Sequence, residues 1–476
     1  MKNIYKYLML FVAVTVIVSC NEDDLDPTLA QDKDLSSGII TDADLASVLN
    51  SAYDRMTVTS YYGRNFIIDG DVRTDNGYSN VNSGRFQSSG MNYTSSGAGP
   101  WSSIYGVIAI TNIVIGADAA SLTGSATAIS HTQGQAYALR ALAHFDLLKS
   151  YGQHFVTGQG GASGLGVPYV KTYKVPENLT PARATVASNV GDIVNDLTIG
   201  IGMMSQSLDG SSSYMTVAGA YAVLARAALY AGSVDGSLYS AAGDAAKWVI
   251  DNSGRSPVSA AGFAATYSTD NAINSVFELA FSGTDSRGIN GCAYILRGTS
   301  YGDVRILTGT GANPDLYDIF DATDVRFAAN MVGTAQGYPT VLGKYPTMNG
   351  SDNITPIRIE EMHLIYAESK LRAGDAATAL MYLNNIPAIR GLGAGYYASA
   401  TIENILLERR KEFYFEGMRY DDLLRTGQGM PLIDSFKQLN DDLTGTPPAY
   451  GSYRTSYPIG TAELNANPNM VENYGY

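Results

Sequence analysis

Glu408, Glu412 and Glu416 stand four residues apart, with Arg419 and Asp422 close behind, in the stretch ERRKEFYFEGMRYDDLLR from Glu408 to Arg425. Paired carboxylates are the acid and base of glycoside hydrolysis, so the row invites an enzymatic reading. Read as one helix at about 100° per residue, the five side chains fall within roughly a third of the circumference. Phe413, Tyr414, Phe415, Met418, Leu423 and Leu424 thread through the same stretch. That predicts partial burial, where charges must be paired. A hydrolase needs its two carboxylates on either side of a sugar-filled cleft, and neighbours on one helix face do not make one. The row therefore reads as a structural ionic network of Glu408, Arg409, Glu412, Glu416, Arg419 and Asp422, with no catalytic residue in it. Gly417 inside the stretch marks close packing or a kink.

Other reactive groups are sparse. The four histidines, His131, His144, His154 and His363, form no HExxH, and His144 in an alanine-rich run reads as a core histidine with satisfied nitrogens. GxSxG, Walker A and GxGxxG are absent. Asp69, Asp71 and Asp75 have some of the spacing of a calcium loop, but Arg73 takes a ligand place and the sixth-place glycine is missing. No metal or cofactor is expected. Cys20 and Cys292 are the two cysteines, too few for a cysteine-based metal cluster. Cys292 has no identifiable base beside it and reads as buried.

Tyrosine is abundant, with 33 copies against two tryptophans. Sugars present apolar C–H faces and hydroxyl edges, so a site for them combines an aromatic platform with amide or guanidinium donors. Two loop stretches carry this mixture. Tyr78 to Tyr93 offers Tyr78, Asn80, Asn82, Arg85 and Tyr93; Asp285 to Arg305 offers Tyr294, Arg297 and Tyr301. These eight are the candidate ligand-binding residues. Trp101 and Trp248 fall on predicted helices and read as core.

The elements that must position them are mostly helices. Apolar periodicity predicts helices over Asp42–Met56, Trp101–Ala119, Gln133–Tyr151, Ala187–Met204, Tyr214–Ala231 and Tyr239–Asp251. Arg358–Arg390 reads as a helix pair turning at Ala373-Gly374-Asp375, with Asp375 as the second cap and a length close to the ~34 residues of a tetratricopeptide repeat. Tyr61–Pro100 reads as loop with short extended pieces. Gly254–Thr355 is too long for one loop and reads as a loop-rich, short-stranded subdomain. The fold class expected is mainly α: degenerate tetratricopeptide-like pairs in a superhelix, with the ligand subdomain grafted on.

At the start, Lys2 and Lys6 precede an apolar run, Tyr7–Val18, that ends in Ser19-Cys20. This is a signal peptide over residues 1–19, and Cys20 closing the run looks like the lipidated first residue of a mature lipoprotein. Residues 20–40, opening with the acidic Asn21–Asp24, read as anchor and tether. The net charge of −14, without a basic track, argues against a nucleic-acid partner.

The motif carried by Glu408, Arg409, Glu412, Glu416, Gly417, Arg419, Asp422, Leu423 and Arg425 resembles the late-helix motif of the SusD/RagB family. QAYALRALAHFDLLKSYG followed by GVPYV resembles that family's N-terminal half. The tail from Tyr457-Pro458-Ile459 to Tyr476 resembles its closing segment, with Gly460, Glu472 and Tyr474 departing from the usual residues. The resemblance implies an N-terminal SusD-like region over 41–253 with a loop insertion at 61–100. It implies a C-terminal region over 254–476, loop-rich at 254–355 and helical at 356–426. It further implies a lipid-anchored protein on the outer face of the outer membrane. Such a protein binds an oligosaccharide or polysaccharide and delivers it to a SusC-like TonB-dependent transporter, without bond cleavage. Peptide capture by the same architecture, and a tetratricopeptide-like protein-interaction scaffold, are the alternatives.

Overall fold

The computed structural model describes residues 38–80, 82–90, 99–298, 302–309, 312–438 and 446–476. Cys20, Tyr93 and Tyr301 lie outside the described residues, as does the signal segment.

Helix starts follow from side chains that can accept a backbone N–H. α1 (Asp42–Met56) opens on a reciprocal box: the Thr41 hydroxyl accepts from Asp44 N at 3.0 Å, and the Asp44 carboxylate accepts from Thr41 N at 3.0 Å. After α2 (Asn65–Val72), β1 (Gly77–Ser79) and α3 (Trp101–Gly116) comes α4 (Ala126–Tyr151), the longest helix. Ser125 caps it by accepting from Ala128 N, seven residues ahead of the predicted start, and Gly152 ends it. Thr185 caps α5 (Val186–Met203) and Thr216 caps α6 (Val217–Ala231), which α7 (Leu238–Asn252) follows.

Short strands then come in: β2 (Ser275–Leu279), β3 (Val304–Ile306), β4 (Val332–Ala335), β5 (Tyr338–Val341) and β6 (Ile354–Arg358). α8 (Ile359–Arg372) and α9 (Ala376–Pro387) form the expected pair, with Asp375 accepting from Thr378 N at 3.1 Å. α10 (Ile402–Phe413), capped by Thr401, and α11 (Arg419–Arg425) complete the set used below.

Each helix packs on the next in a row: α1 on α3, α3 on α4, then α4 through α9 in order. Small residues set the spacing. A Cβ placed on Gly200 of α5 would lie 2.7 Å from the carbonyl oxygen of Gly134 in α4, so the two backbones touch there. α4 is buried on nearly every side from Ile129 to Leu148, as expected of the helix at the centre of such a row. The strands pair as three antiparallel ribbons, β1 with β3, β2 with β6, and β4 with β5. The second of these puts Phe277 opposite Ile357, both fully buried, between the helical row and the loop-rich part.

Three expectations are corrected. Glu408–Arg425 is not one helix. The chain breaks after Phe413, with Phe415 at φ 56° and Gly417 at φ 81°. The Asp71 carboxylate accepts the N–H groups of Phe415 at 2.9 Å and Gly417 at 2.8 Å, replacing the helical bonds those residues would have made. Tyr61–Pro100 contains α2, eight residues too short to show periodicity and buried through Ile67, Ile68 and Val72. The tryptophans are only partly buried: Trp248 stacks on Tyr221 at 4.0 Å, and Trp101 walls a groove described below.

The left-handed turn makes Gly417 a sharp test of this break. Its position for a side chain also abuts Ile67 Cα at 3.0 Å. Gly417→Ala is expected to lower the unfolding free energy by about 1–2 kcal/mol or more. Urea denaturation followed by circular dichroism measures it, and an unchanged midpoint would show that the break does not depend on that turn.

Candidate functional site

β1 and β3 bring together the two loop stretches that carry the candidate residues. Tyr78 lies opposite Arg305, and Asn80 N–H donates to the Asp303 carbonyl at 2.8 Å. Opposed residues of an antiparallel pair project to one side, and side chains alternate along each strand. Tyr78, Asn80, Asp303 and Arg305 therefore share a face.

On that face the roles divide. Asn80 builds the turn: its Nδ2 donates to the Gly302 carbonyl at 2.7 Å and its Oδ1 accepts from Asn82 N at 2.9 Å. Arg297, at the end of the short helix Cys292–Arg297, donates to the carbonyls of Leu342 (3.0 Å) and Pro346, tying down a neighbouring loop. Arg305 is buried, donating to Gln336 Oε1 at 3.1 Å and to the Leu296 carbonyl. Its guanidinium lies 5.6 Å from the ring of Tyr338, which is half exposed. Tyr78 is half-buried, with the Lys437 ammonium 5.4 Å from its ring. Tyr294, also half-buried, lays its ring against Gly298. Asn82 is exposed.

Arg85 holds Asp303 with Nε and Nη2, both at 2.9 Å, and donates Nη1 to Asn290 Oδ1 at 3.2 Å. Arg64 donates Nη1 to that same oxygen at 3.2 Å, and its guanidinium lies 5.6 Å from the Phe86 ring. Arg64, Tyr338 and Lys437 were missed in the sequence because each lies outside the two stretches singled out there, although Tyr61, Tyr62, Asn65 and Phe66 flank Arg64. The result is a surface with half-exposed aromatic rings edged by amide and guanidinium donors. It can stack an apolar ring face and replace the hydration of hydroxyls.

Two enclosed volumes lie elsewhere. A cavity of about 70 Å³ between α2, α4, α6 and α11 is lined by Tyr62, Lys149, Arg226, Lys344, Glu361 and Asp421, among others. Its cations already hold carboxylates: Lys149 with Asp421 at 2.9 Å, Arg226 Nε with Glu361 at 2.9 Å, Lys344 with Glu416 at 2.6 Å. A ligand there would have to break ion pairs in low dielectric, so it belongs to the scaffold. A groove of about 420 Å³ runs along α3, between Trp101, Tyr105, Tyr173, Asn178, Leu179 and Glu463.

The carboxylate row is the core of an ionic network. Glu412, fully buried, accepts from three guanidiniums: Arg358 Nη1 at 2.8 Å, Arg390 Nη2 at 2.8 Å and Arg326 Nη1 at 3.2 Å. Glu408 takes Arg326 at 2.6 Å and the Tyr397 hydroxyl at 2.9 Å. Glu416 takes Arg358 and Lys344. Arg409 and Arg425 grip Asp422, and Arg419 reaches across to Asp75 with two bonds at 2.8 Å. Burial alone would raise the Glu412 carboxyl, but Arg390 and Arg358 outweigh it and hold it well below the usual carboxylate range. The same contest lowers Glu416, through Arg358 and Lys344, and Asp422, through Arg409 and Arg425. Asp71 goes the other way: burial raises it to about 6 against the donors Asn76, Phe415 and Gly417. A carboxylate held ionised by three cations cannot donate a proton to a leaving group.

The remaining candidates have structural partners. Asp75 and Asp71 are engaged as above. His144 is fully buried and stacked on Tyr169 at 3.7 Å. One of its nitrogens meets the Arg140 carbonyl and the other accepts from Val170 N, both at 3.0 Å. Burial pushes the Cys292 thiol up to about 12.

A sequence profile described as the SusD family matches residues 311–476, and one described as starch-binding associating with outer membrane matches residues 25–229. The starch-binding protein SusD of Bacteroides thetaiotaomicron is 32% identical over 146 residues, which is 30% of this chain and 24% of that protein. The match thus spans about a quarter of the relative's own length. Among solved structures, a SusD superfamily protein from Bacteroides vulgatus is 25% identical with a TM-score of 0.80, covering 92% of this chain and 100% of that one. Another from Bacteroides thetaiotaomicron is 25% identical with a TM-score of 0.78, covering 91% and 100%.

Removing one charge from the network leaves three arginines facing a neutral amide. Glu412→Gln is expected to cost about 3–5 kcal/mol of stability; a shift of urea midpoint within error would refute the pairing. The pH dependence follows from the same groups. A carboxyl lowered on folding contributes stability above its unfolded pKa, near ~4, and loses it as pH falls toward the folded value. Asp71 opposes this, contributing below about 4 and losing its contribution as pH rises through about 6. Burial raises Asp69, Asp209 and Asp421 as well. Asp75, Asp235, Glu368, Asp375, Glu412, Glu416, Asp422 and Asp434 are lowered and outnumber the raised groups. The melting temperature should therefore fall between pH 5 and pH 3, and less steeply in Glu412→Gln. Calorimetric scans across that range measure both slopes.

Proposed function

The chain belongs to the SusD/RagB family, and on that premise we propose that it captures glycans at the cell surface and hands them to a SusC-type TonB-dependent transporter. The observation that carries this is the joining of the two candidate stretches by β1 and β3. It sets Tyr78 opposite Arg305, whose guanidinium lies 5.6 Å from the Tyr338 ring, and brings Asp303 to Arg85, which shares the Asn290 oxygen with Arg64. Starch binding, in the description of the profile over residues 25–229 and in the name of the Bacteroides thetaiotaomicron relative, supports a carbohydrate as ligand. Association with the outer membrane, in the same description, supports the placement that Cys20 suggests: lipid-anchored and facing outward.

Capture proceeds without bond cleavage, because the chain's most conspicuous carboxylate row is locked in ion pairs. One aromatic platform against a sugar face contributes on the order of 1–3 kcal/mol. A shallow surface of this kind gives dissociation constants of roughly 10 μM to 1 mM. Fast release at that affinity suits a protein that must give up its ligand.

Tyr78→Ala combined with Tyr338→Ala is expected to weaken binding of a recognised oligosaccharide by about tenfold or more, with an unchanged far-ultraviolet circular dichroism spectrum. Titration calorimetry over an oligosaccharide panel measures it, with Asn178→Ala in the α3 groove as the comparison. Loss of binding in the groove variant alone would move the site to the groove. Binding of peptides and of no glycan would change the ligand class.

A further inference from the structure

Arg64 and Arg85 come from different segments yet direct one guanidinium nitrogen each to Asn290 Oδ1, both at 3.2 Å. Two like charges gathered on one neutral acceptor is an unfavourable arrangement when the protein is alone. Burial lowers the Arg64 pKa, and the neighbouring Arg85 lowers it further. Arg85 has Asp303 as its counter-ion. Among the described residues, Arg64, Arg297 and Arg305 form no ion pair; their donors meet amide and carbonyl oxygens instead. Burial also lowers the Arg297 and Arg305 pKa values, against Asp352 beside the first and Tyr78 and Asp303 beside the second.

This surplus is local. The whole chain has 31 Lys and Arg against 45 Asp and Glu. Its carboxylates pair many of the scaffold's arginines, three of which converge on Glu412 alone, while Arg183 and Arg255 meet only amide and carbonyl oxygens among the described residues. On the β1–β3 surface, where an aspartate at position 290 would complete the pairing, the chain places an exposed asparagine. An amide oxygen there aligns the two guanidiniums without cancelling their charge.

We infer that the glycan taken at this surface is acidic, with a ring carboxylate or sulfate seated on Arg64 and Arg85 beside Asn290. This rests on the glycan-binding reading above and narrows it. The planar, multiply donating guanidinium suits either oxyanion, and the aromatic rings of Tyr78 and Tyr338 take the adjoining sugar face.

The experiment is calorimetry at low and moderate salt with three probe sets. These are neutral xylo- and malto-oligosaccharides, oligogalacturonates carrying carboxylates, and chondroitin sulfate oligosaccharides carrying both carboxylate and sulfate. One of the two acidic sets is expected to bind, with affinity falling as salt rises; binding of the oligogalacturonates shows that a carboxylate suffices, and binding of chondroitin sulfate that is lost on chemical desulfation assigns the sulfate. Arg64→Gln should weaken that binding by at least about tenfold. Asn290→Asp should abolish it while raising the melting temperature, since the new carboxylate both fills the seat and relieves the repulsion. If a neutral oligosaccharide binds and the acidic sets do not, the acidic assignment falls and the glycan reading stands. If an acidic set binds both variants as tightly as the unaltered protein, the Arg64–Arg85 seat is refuted. If none of the three sets binds while peptides do, both readings fall.

Discussion

Glu412 sits in the dry interior with three guanidiniums on its two oxygens. Taking one carboxylate and three arginines out of water is costly, and the cost is recovered only when all the partners are held in good geometry at once. Arg326 precedes β4, Arg358 ends β6 at the start of α8, and Arg390 follows α9. One side chain thereby makes the positions of three distant segments conditional on one another. Glu416, Glu408 and Asp422 extend the same condition to Lys344, Tyr397 and Arg425. Apolar burial supplies the bulk of the driving force here, as in other proteins. The ion pairs select which of the many compact arrangements of these helices and loops has no unpaired charge.

The proposed recognition surface depends on that rigidity. β1 follows closely after α2 and β3 belongs to the loop-rich part, so their pairing depends on how the two halves are docked. Asp71 and Asp75, just ahead of β1, are fastened to the α10–α11 break and to Arg419. With its root fixed, β1 can present Tyr78 and Asn80 against Asp303 and Arg305 using three residues of strand.

Much of this was legible before the fold was known. The helices α1 and α8–α9 emerged with their bounds nearly intact, because each shows apolar periodicity and capping side chains, Thr41 and Asp375, mark the starts of α1 and α9. The ionic character of the Glu408–Asp422 row was legible too, because buried carboxylates demand cations. Its partners were not. Nothing in the spacing of Arg326, Arg358 or Arg390 distinguishes them from solvated arginines, since their burial is a property of the assembled protein. The break at Phe415–Gly417 was hidden for the same reason. Its hydrogen-bond acceptor, Asp71, is 344 residues away, and local propensity has no term for it. At the proposed recognition surface, composition singled out two stretches that β1 and β3 join but not their geometry. Asn82 is exposed and Tyr78 half-buried, whereas Arg85 turned to the Asp303 carboxylate, Asn80 and Arg297 turned to backbone carbonyls, and Arg64 entered from outside the two stretches.

The span from Asp75 to Arg419 matters for how the protein comes into being. A chain emerges from the ribosome N-terminus first, and its early segments can begin to fold while later ones are still being made. Here the early helices can collapse on one another, but Asp75, just after α2, lacks its counter-ions Arg410 and Arg419 until most of the polypeptide has appeared. Closing a contact over 344 residues carries a high entropic cost and comes late. An unfinished or clipped copy ending before Arg419 therefore keeps Asp75 hydrated and the root of β1 loose, exposed to proteases. Completion of the chain is thus registered at its opposite end.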